Sequence, residues 1–289
     1  MFAGSMVALV TPFCNNLIDR VALGNLIEKQ ISSGINSILV CGTTGEGTLL
    51  SAEERKEVIL RAIEVSNGRA PVVVGCSAHR TSDAINLIKQ AEELEADGVL
   101  VSTPYYVIPT QEGIFNHFAK IHENTDIPII MYNNPTRCSV NMSVEIILRL
   151  AKLERIVGLK DSNTDLSRVS LIREKNRELV LLSGDDASIV GYLANGGDGA
   201  VSVVANVAPT FVKVLVSAWR VENVKMMQKV SFRLAPFNEV LFLEPNPILV
   251  KYILSKIGGI QNELRPPLTE ASKAMMDLLD KELPVKDFY

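Results

Sequence analysis

One lysine stands where it could act as a nucleophile. Lys160 ends the run IVGLK at 156–160, whose other residues are apolar or glycine. An amine attacks a carbonyl carbon only in its neutral form, and burial among apolar groups favours that form. Lys160 is therefore a candidate for forming an imine with a keto substrate. The alternative is a structural lysine paired with Asp161 or Asp185, and its position alone does not decide between the two.

A glycine-rich turn is the second candidate. The sequence GTTGEG at 42–47 contains Thr43 and Thr44, and successive amides of such a turn can point at one carboxylate or phosphate. The turn lacks both the G-K-[ST] ending of a Walker loop and the glycine order of a dinucleotide fingerprint. An anion site is one interpretation, and an ordinary strand-to-helix turn is the other.

Two tyrosines and an arginine offer proton transfer and carboxylate binding. Tyr132 and Tyr106 carry phenols, which give and take protons without being charged at rest. Arg137 follows a proline in a short loop, and its planar fork suits bidentate binding of a carboxylate. The alternatives are that the tyrosines only pack and that the arginine forms a surface salt bridge.

Metal and histidine chemistry find little support in the sequence. The three histidines lie away from most of these residues, and the Asp185-Asp186 pair has no further ligands nearby, so we predict no metal site. The four cysteines are widely spaced without a C-x-x-C pair, which indicates reduced thiols; they are Cys14, Cys41, Cys76 and Cys138.

Composition narrows the class of partner. The net charge of −4 over 289 residues gives no electrostatic reason to expect nucleic acid or an anionic membrane. No stretch approaches the roughly 18 apolar residues of a membrane span, and the N-terminal segment lacks the basic region of a signal peptide. We expect a cytoplasmic protein that acts on small solutes.

These candidates have to be positioned by a repeating scaffold. Eight short apolar runs alternate with amphipathic segments of helical length; the runs begin at Ser5, Ser37, Pro71, Gly98, Pro128, Ile156, Leu179 and Ala200. Continuous apolar character is typical of parallel strands buried on both faces. Eight such units predict an α/β fold, a (β/α)8 TIM barrel with its active site at the carboxyl ends of the strands. An open doubly wound sheet is the competing fold, and it usually has fewer strands.

The helical segments agree with this architecture. Ser51 and Glu54 form an S-x-x-E capping box before an apolar stripe, which predicts a helix start. From about residue 208 the chain turns helical without further strands. We therefore predict a barrel over residues 1–225 and a C-terminal helical extension over residues 226–289 that packs on it.

Six motifs in order resemble the dihydrodipicolinate synthase (4-hydroxy-tetrahydrodipicolinate synthase) family, a branch of the pyruvate-dependent class I aldolases. They span essentially the whole chain, and together they are far more specific than any one alone; they are GTTGEG, PYYVIPTQEGIFNHF, YNNPTR, GLKDS, SGDDA and EPNPILVKY.

The resemblance implies a role for each candidate. Lys160 forms the imine with pyruvate, and Tyr132 donates and accepts the proton. Thr43 and Tyr106 are its partners in a hydroxyl relay, with Tyr106 reaching in from a neighbouring subunit. The remaining implied contacts bind substrate: Thr44 holds the pyruvate carboxylate, the backbone of Val201 contacts pyruvate, Arg137 grips the carboxylate of the second substrate, and Gly184 lies in the substrate site.

The same resemblance implies the reaction. Pyruvate condenses with L-aspartate 4-semialdehyde through a lysine Schiff base, a carbon-oxygen lyase activity in diaminopimelate and lysine biosynthesis. It needs no metal or organic cofactor, and the implied assembly is a homotetramer built as a dimer of dimers.

Departures from the family pattern concern regulation. Ala52, Arg55 and His79 stand where feedback-inhibited members often carry side chains suited to binding lysine, which argues against allosteric lysine binding. A sugar-acid lyase of the same superfamily shares Lys160 and Tyr132, and Arg137 speaks against it because the second substrate of such lyases carries no carboxylate there. A barrel that only binds a keto acid is the non-catalytic alternative.

Overall fold

A closed barrel of eight parallel strands forms the centre of the molecule. The computed structural model describes residues 1–282. Its ten strands, numbered in chain order, are β1 (Gly4–Ala8), β2 (Phe13–Cys14), β3 (Leu17–Ile18), β4 (Ser37–Val40), β5 (Val72–Gly75), β6 (Gly98–Ser102), β7 (Ile129–Asn133), β8 (Ile156–Asp161), β9 (Val180–Ser183) and β10 (Gly199–Ser202). All except β2 and β3 belong to the barrel, in the order β1-β10-β9-β8-β7-β6-β5-β4. The TIM-barrel prediction is confirmed, and each of the eight apolar runs supplies one strand.

Helices connect the strands and form the outer layer. They are α1 (Arg20–Ser32), α2 (Ala52–Ser66), α3 (Thr81–Glu93), α4 (Gln111–His122), α5 (Pro135–Cys138), α6 (Val144–Leu150), α7 (Ser167–Lys175), α8 (Ile189–Ala194), α9 (Pro209–Arg220), α10 (Val224–Val240), α11 (Ile248–Lys256) and α12 (Lys273–Glu282). The capping box is present: the Ser51 hydroxyl accepts from the Glu54 amide, and the Glu54 carboxylate accepts from the Ser51 amide. The local sequence therefore fixes where α2 begins.

Burial explains why the strands read as continuous apolar runs. Every residue of β4, β5, β6 and β7 is buried, because one face of each strand packs inside the barrel and the other packs against the helices. Strand β1 pairs with both β10 and β4, so the barrel has no free edge.

The C-terminal helices lie on this barrel. Helix α10 packs against α9, α11 contacts the short 3₁₀ turn Val204–Asn206, and α12 packs on α11. The division predicted between residues 225 and 226 falls in the first turn of α10, and it stays a prediction. No helix within residues 1–282 is long and apolar enough to cross a membrane.

The register between β7 and β8 places Tyr132 beside Lys160. Tyr132 is paired with Lys160 and Asn133 with Asp161, after a register shift near Ile129. Paired residues of parallel strands share a face, and successive residues alternate between faces. Tyr132 and Lys160 therefore point together to one side of the barrel wall, and Asp161 points to the other.

Candidate active site

A cavity of about 510 Å³ opens at the carboxyl ends of the strands. Six of the eight predicted site residues line it, namely Thr43, Thr44, Tyr132, Arg137, Lys160 and Gly184. The first and last of them, Thr43 and Gly184, are more than 100 positions apart in the sequence, and the barrel brings them together because all parallel strands end on one side.

Lys160 is buried against an aromatic ring. Its side chain is 7 % exposed, and its Nζ lies 4.1 Å from the centre of the Tyr132 ring. At this distance the ring face and the lysine head group are in direct contact. Within residues 1–282 no carboxylate forms an ion pair with Lys160, so its amine is available for chemistry.

The suggested pairing of Lys160 with Asp161 is wrong. Asp161 binds Arg168 instead, with its Oδ2 3.3 Å from Nε, and its Oδ1 accepts from the Asn133 side chain at 2.8 Å. The physical reason is strand alternation, which turns Asp161 away from the cavity. The suggested pairing with Asp185 is also absent: one carboxylate oxygen of Asp185 accepts from the Ser188 amide.

Gly184 leaves room for the lysine side chain. A Cβ built on Gly184 would lie 3.0 Å from Cε and 3.1 Å from Cγ of Lys160, and only 2.2 Å from Oγ of Ser162. The approach to Ser162 is closer than real Cβ atoms show, and the two approaches to Lys160 are tighter than most real contacts. Glycine at this position therefore allows Lys160 to lie along the cavity wall.

Tyr132 has the electrostatic setting of a proton-transfer group. Burial raises the pKa of its phenol, but the charge of Lys160, hydrogen bonds with Ser162 and Asn134 and the charge of Arg137 together lower that pKa below its usual value. Such a phenol releases its proton more readily than a free tyrosine does.

The hydrogen-bond partner of Tyr132 differs from the one expected. The Asn134 side-chain amide donates to the Tyr132 hydroxyl at 2.6 Å, and the structure shows no hydrogen bond between Tyr132 and Thr43 in the described chain. Thr43 lines the same cavity. The role of Thr43 in a relay stays a prediction, and Asn134 is a contact that we did not predict.

Thr44 of the glycine-rich turn lines the cavity, and its side chain forms a hydrogen bond with a residue of the C-terminal extension. The Thr44 hydroxyl accepts from Nδ2 of Asn246 at 2.9 Å, and the backbone oxygen of Asn246 faces Nη2 of Arg137 at 3.4 Å. Asn246 belongs to the motif EPNPILVKY, which is one of the six that carry the resemblance, but we assigned it no role. Membership of this motif was the one indication in the sequence that Asn246 lies near the site.

Arg137 remains available for an anion. Arg137 lies in helix α5, where the Asn134 side chain caps the helix by accepting from the Arg137 amide and Pro135 occupies the first turn. In the part of the chain that the structure describes, its guanidinium forms no ion pair. The alternative of a surface salt bridge therefore finds no support.

Two predicted site residues do not line the cavity. Val201 is buried inside β10, whereas its neighbour Val203 lines the wall. Tyr106 is 91 % exposed with a φ of 71° and does not line the cavity of its own chain. The roles of Val201 and Tyr106 stay predictions.

The second aspartate of the acidic pair supports the wall. Burial raises the pKa of Asp186 to about 6, against hydrogen bonds from Ser202, Val203 and Val204 that lower it. These bonds tie the end of β9 to the end of β10. Asp186 is therefore a structural residue, while Asp185 lines the cavity.

A neighbouring cavity of about 520 Å³ contains two of the three positions singled out for regulation. Arg55 and His79 line it, and Nη2 of Arg55 donates to the backbone oxygen of Gly75 at 3.0 Å. Ala52 is exposed on the first turn of α2.

Known proteins match this chain along its whole length. The model of the dihydrodipicolinate synthetase family matches residues 1–285. A 4-hydroxy-tetrahydrodipicolinate synthase of Thermodesulfovibrio yellowstonii is 44 % identical over 284 residues, covering 98 % of both chains. Another from Parvibaculum lavamentivorans is 43 % identical, covering 95 % of this chain and 94 % of its own.

Solved structures that resemble this chain come from the same family as the relatives found by sequence. The crystal structure of dihydrodipicolinate synthase from Aquifex aeolicus superposes with a TM-score of 0.96 at 40 % identity, covering 99 % of both chains. That of the Thermotoga maritima enzyme gives a TM-score of 0.97 at 39 % identity over 100 % of both chains. This chain belongs to the dihydrodipicolinate synthetase family.

Proposed function

We propose that this chain is a 4-hydroxy-tetrahydrodipicolinate synthase that condenses pyruvate with L-aspartate 4-semialdehyde through an imine on Lys160. The observation that carries the proposal is the buried Lys160, which has no ion-pair partner within residues 1–282 and lies beside the Tyr132 ring in the cavity that Arg137 also lines. A nucleophilic amine, a proton-transfer group and a carboxylate-binding fork are the three parts that this reaction needs.

The first half of the reaction activates pyruvate. The Lys160 amine attacks the keto carbon, and loss of water gives the imine. Tyr132 moves the protons of this step, with Thr43 and a partner chain's Tyr106 completing the relay. Thr44 holds the pyruvate carboxylate, and the backbone of Val201 contacts the bound pyruvate. Loss of a methyl proton then turns the imine into an enamine, which is a carbon nucleophile.

The second half joins the two substrates. Arg137 binds the carboxylate of the semialdehyde and brings its aldehyde carbon to the enamine, where the new carbon–carbon bond forms. The amine of the semialdehyde attacks the imine carbon and displaces the Lys160 amine. This step closes the ring, gives 4-hydroxy-tetrahydrodipicolinate and restores the free enzyme. Protein side chains supply every step, so the proposal includes no cofactor.

We also propose a homotetramer of two dimers in the cytoplasm. The exposed run of Tyr106, Val107 and Ile108 supports an interface, since these residues are 91 %, 54 % and 57 % exposed, and contiguous apolar surface of this kind is typical of contact sites.

The proposed location in the cytoplasm is supported by the four free cysteines, which agree with a reducing compartment.

A paired assay tests the function. The purified protein is given pyruvate with aspartate 4-semialdehyde in one reaction and N-acetylneuraminate in another. We expect turnover in the first and none in the second, because Arg137 suits a carboxylated aldehyde. Cleavage of the sugar acid without condensation would refute the proposal.

A further inference from the structure

An ion pair outside the cavity joins the C-terminal extension to the glycine-rich turn. Lys251 on α11 donates to Oε1 of Glu46 in the turn, and both side chains are 0 % exposed. The Lys251 ammonium also donates to the backbone oxygen of Glu263 at 2.7 Å. The second carboxylate oxygen of Glu46 accepts from the Arg265 amide at 2.8 Å. The Glu46 carboxylate therefore has partners from two parts of the extension.

An aromatic ring completes this cluster. The Lys251 ammonium lies 4.2 Å from the centre of the Phe13 ring, and the Arg265 guanidinium lies 4.5 Å from the same centre. Arg265 also donates to the Glu54 carboxylate on α2 at 2.6 Å. We call Phe13, Glu46, Lys251 and Arg265 the C-terminal clamp.

The clamp holds a residue in an unusual backbone conformation. Glu46 has a φ of 52°, and the left-handed region is unfavourable for a residue with a Cβ. Its amide donates to the backbone oxygen of Thr43 at 3.1 Å, and the Gly47 amide donates to that of Gly42 at 3.0 Å. These bonds close the turn that carries Thr43 and Thr44, so the conformation of Glu46 determines where the two threonines point.

Stability alone is a poor explanation for such a pair. Removing two charges from water is strongly unfavourable, and apolar replacements of such pairs are often equally stable or more so. Burial lowers the pKa of Lys251 to about 8, although the Glu46 charge and hydrogen bond oppose it. A buried ion pair is unfavourable to desolvate, but its geometry is well defined. Such a pair is suited to holding the backbone of the turn in one conformation.

We infer that Lys251 and Glu46 are positioning residues that set the pose of the turn at 42–47 for binding the carboxylate of pyruvate. Neither side chain lies in the wall of the Lys160 cavity, so they act through Thr43 and Thr44. The inference rests on the proposed function, because it assigns the turn to pyruvate.

The decisive variant removes both charges together. Lys251→Met/Glu46→Met keeps two unbranched side chains and leaves no unpaired buried charge. Borohydride trapping at several pyruvate concentrations gives the half-saturation for imine formation. We expect this half-saturation to rise at least about tenfold, because a shift of the turn of the order of 1 Å misplaces its donors. The half-saturation for the semialdehyde, measured at saturating pyruvate, should change much less than that for pyruvate, because the backbone of Arg137 is held in α5 by the Asn134 cap and only its Nη2 contacts Asn246 of the extension.

Two controls make the outcome decisive. Lys256→Met removes a charge from the same helix, where Lys256 pairs with Asp280 at the surface, and it should leave both half-saturations unchanged. If the double variant does not fold, the pyruvate half-saturation for imine formation is measured in Glu46→Gln instead, and the same rise is expected. A folded variant with wild-type pyruvate half-saturation, even with a lower melting temperature, would overturn the inference. Failure of the wild-type protein to form any adduct would instead refute the proposed function.

Discussion

Adding one methyl group at Gly184 tests whether the space beside Lys160 matters for its chemistry. In Gly184→Ala the new Cβ would start 2.2 Å from Oγ of Ser162 and about 3 Å from two carbons of Lys160. Ser162 has to retreat by at least about 1 Å to reach ordinary contact. That movement disrupts the 3.0 Å hydrogen bond from the Ser162 hydroxyl to the Gly184 backbone oxygen.

The lysine side chain has to yield by several tenths of an ångström. A misplacement of about 1 Å costs about a hundredfold in rate, so we expect imine formation in Gly184→Ala to slow about 10- to 100-fold. Overpacking should also lower the free energy of unfolding by about 1–3 kcal/mol. The melting temperature falls accordingly, while the fold is retained.

The assay is the rate of borohydride-trapped adduct formation at saturating pyruvate, which separates the chemical step from binding. Gly113→Ala serves as the control, because its Cβ would meet Pro109 and Thr110 at 3.2 and 3.4 Å, a tight contact on α4 outside the cavity. Its adduct should form at the wild-type rate. A wild-type rate in Gly184→Ala would show that the lysine does not need this space.

Three further changes probe separate parts of the structure. Arg137→Ala should raise KM for the semialdehyde about 10- to 100-fold through lost charged hydrogen bonds, and equal loss of pyruvate imine formation would contradict its assignment. Arg168→Met leaves the Asp161 carboxylate buried and unpaired, so urea unfolding should show a loss of about 3–5 kcal/mol with imine formation retained; unchanged stability would count against the buried pair. Burial lowers the pKa of His117 to about 4, so only the unfolded chain takes up this proton between pH 6.5 and 4. The free energy of unfolding should then fall by up to about 3 kcal/mol as the pH drops through that window, and His117→Asn should reduce the fall; an identical pH profile would refute this cause.

The barrel could be predicted because its signals are local. Each parallel strand is buried on both faces, so each leaves a continuous apolar run in the sequence. The hairpin of β2 and β3 escaped prediction because strands of two residues are too short to show a period. Helix α5 also escaped, although Asn134 followed by Pro135 is a recognisable helix start.

Several residues that line the cavity could be predicted from the sequence, but the side chains that hydrogen-bond to the glycine-rich turn could not. Strand ends identify Lys160, Tyr132 and Gly184, because barrel topology collects them whatever the details of packing. The contacts of Asn246 with Thr44 and of Lys251 with Glu46 join residues 202 and 205 positions apart. Such pairs depend on how the C-terminal helices lie on the barrel, and no local pattern in the sequence encodes that placement.

The covalent site itself can be measured directly. Borohydride is added to the wild-type protein with pyruvate, and the digested protein is analysed by mass spectrometry. A reduced pyruvate adduct is expected on the peptide that contains Lys160, and Lys160→Ala should abolish it. An adduct on another lysine, or no adduct at all, would contradict the role of Lys160.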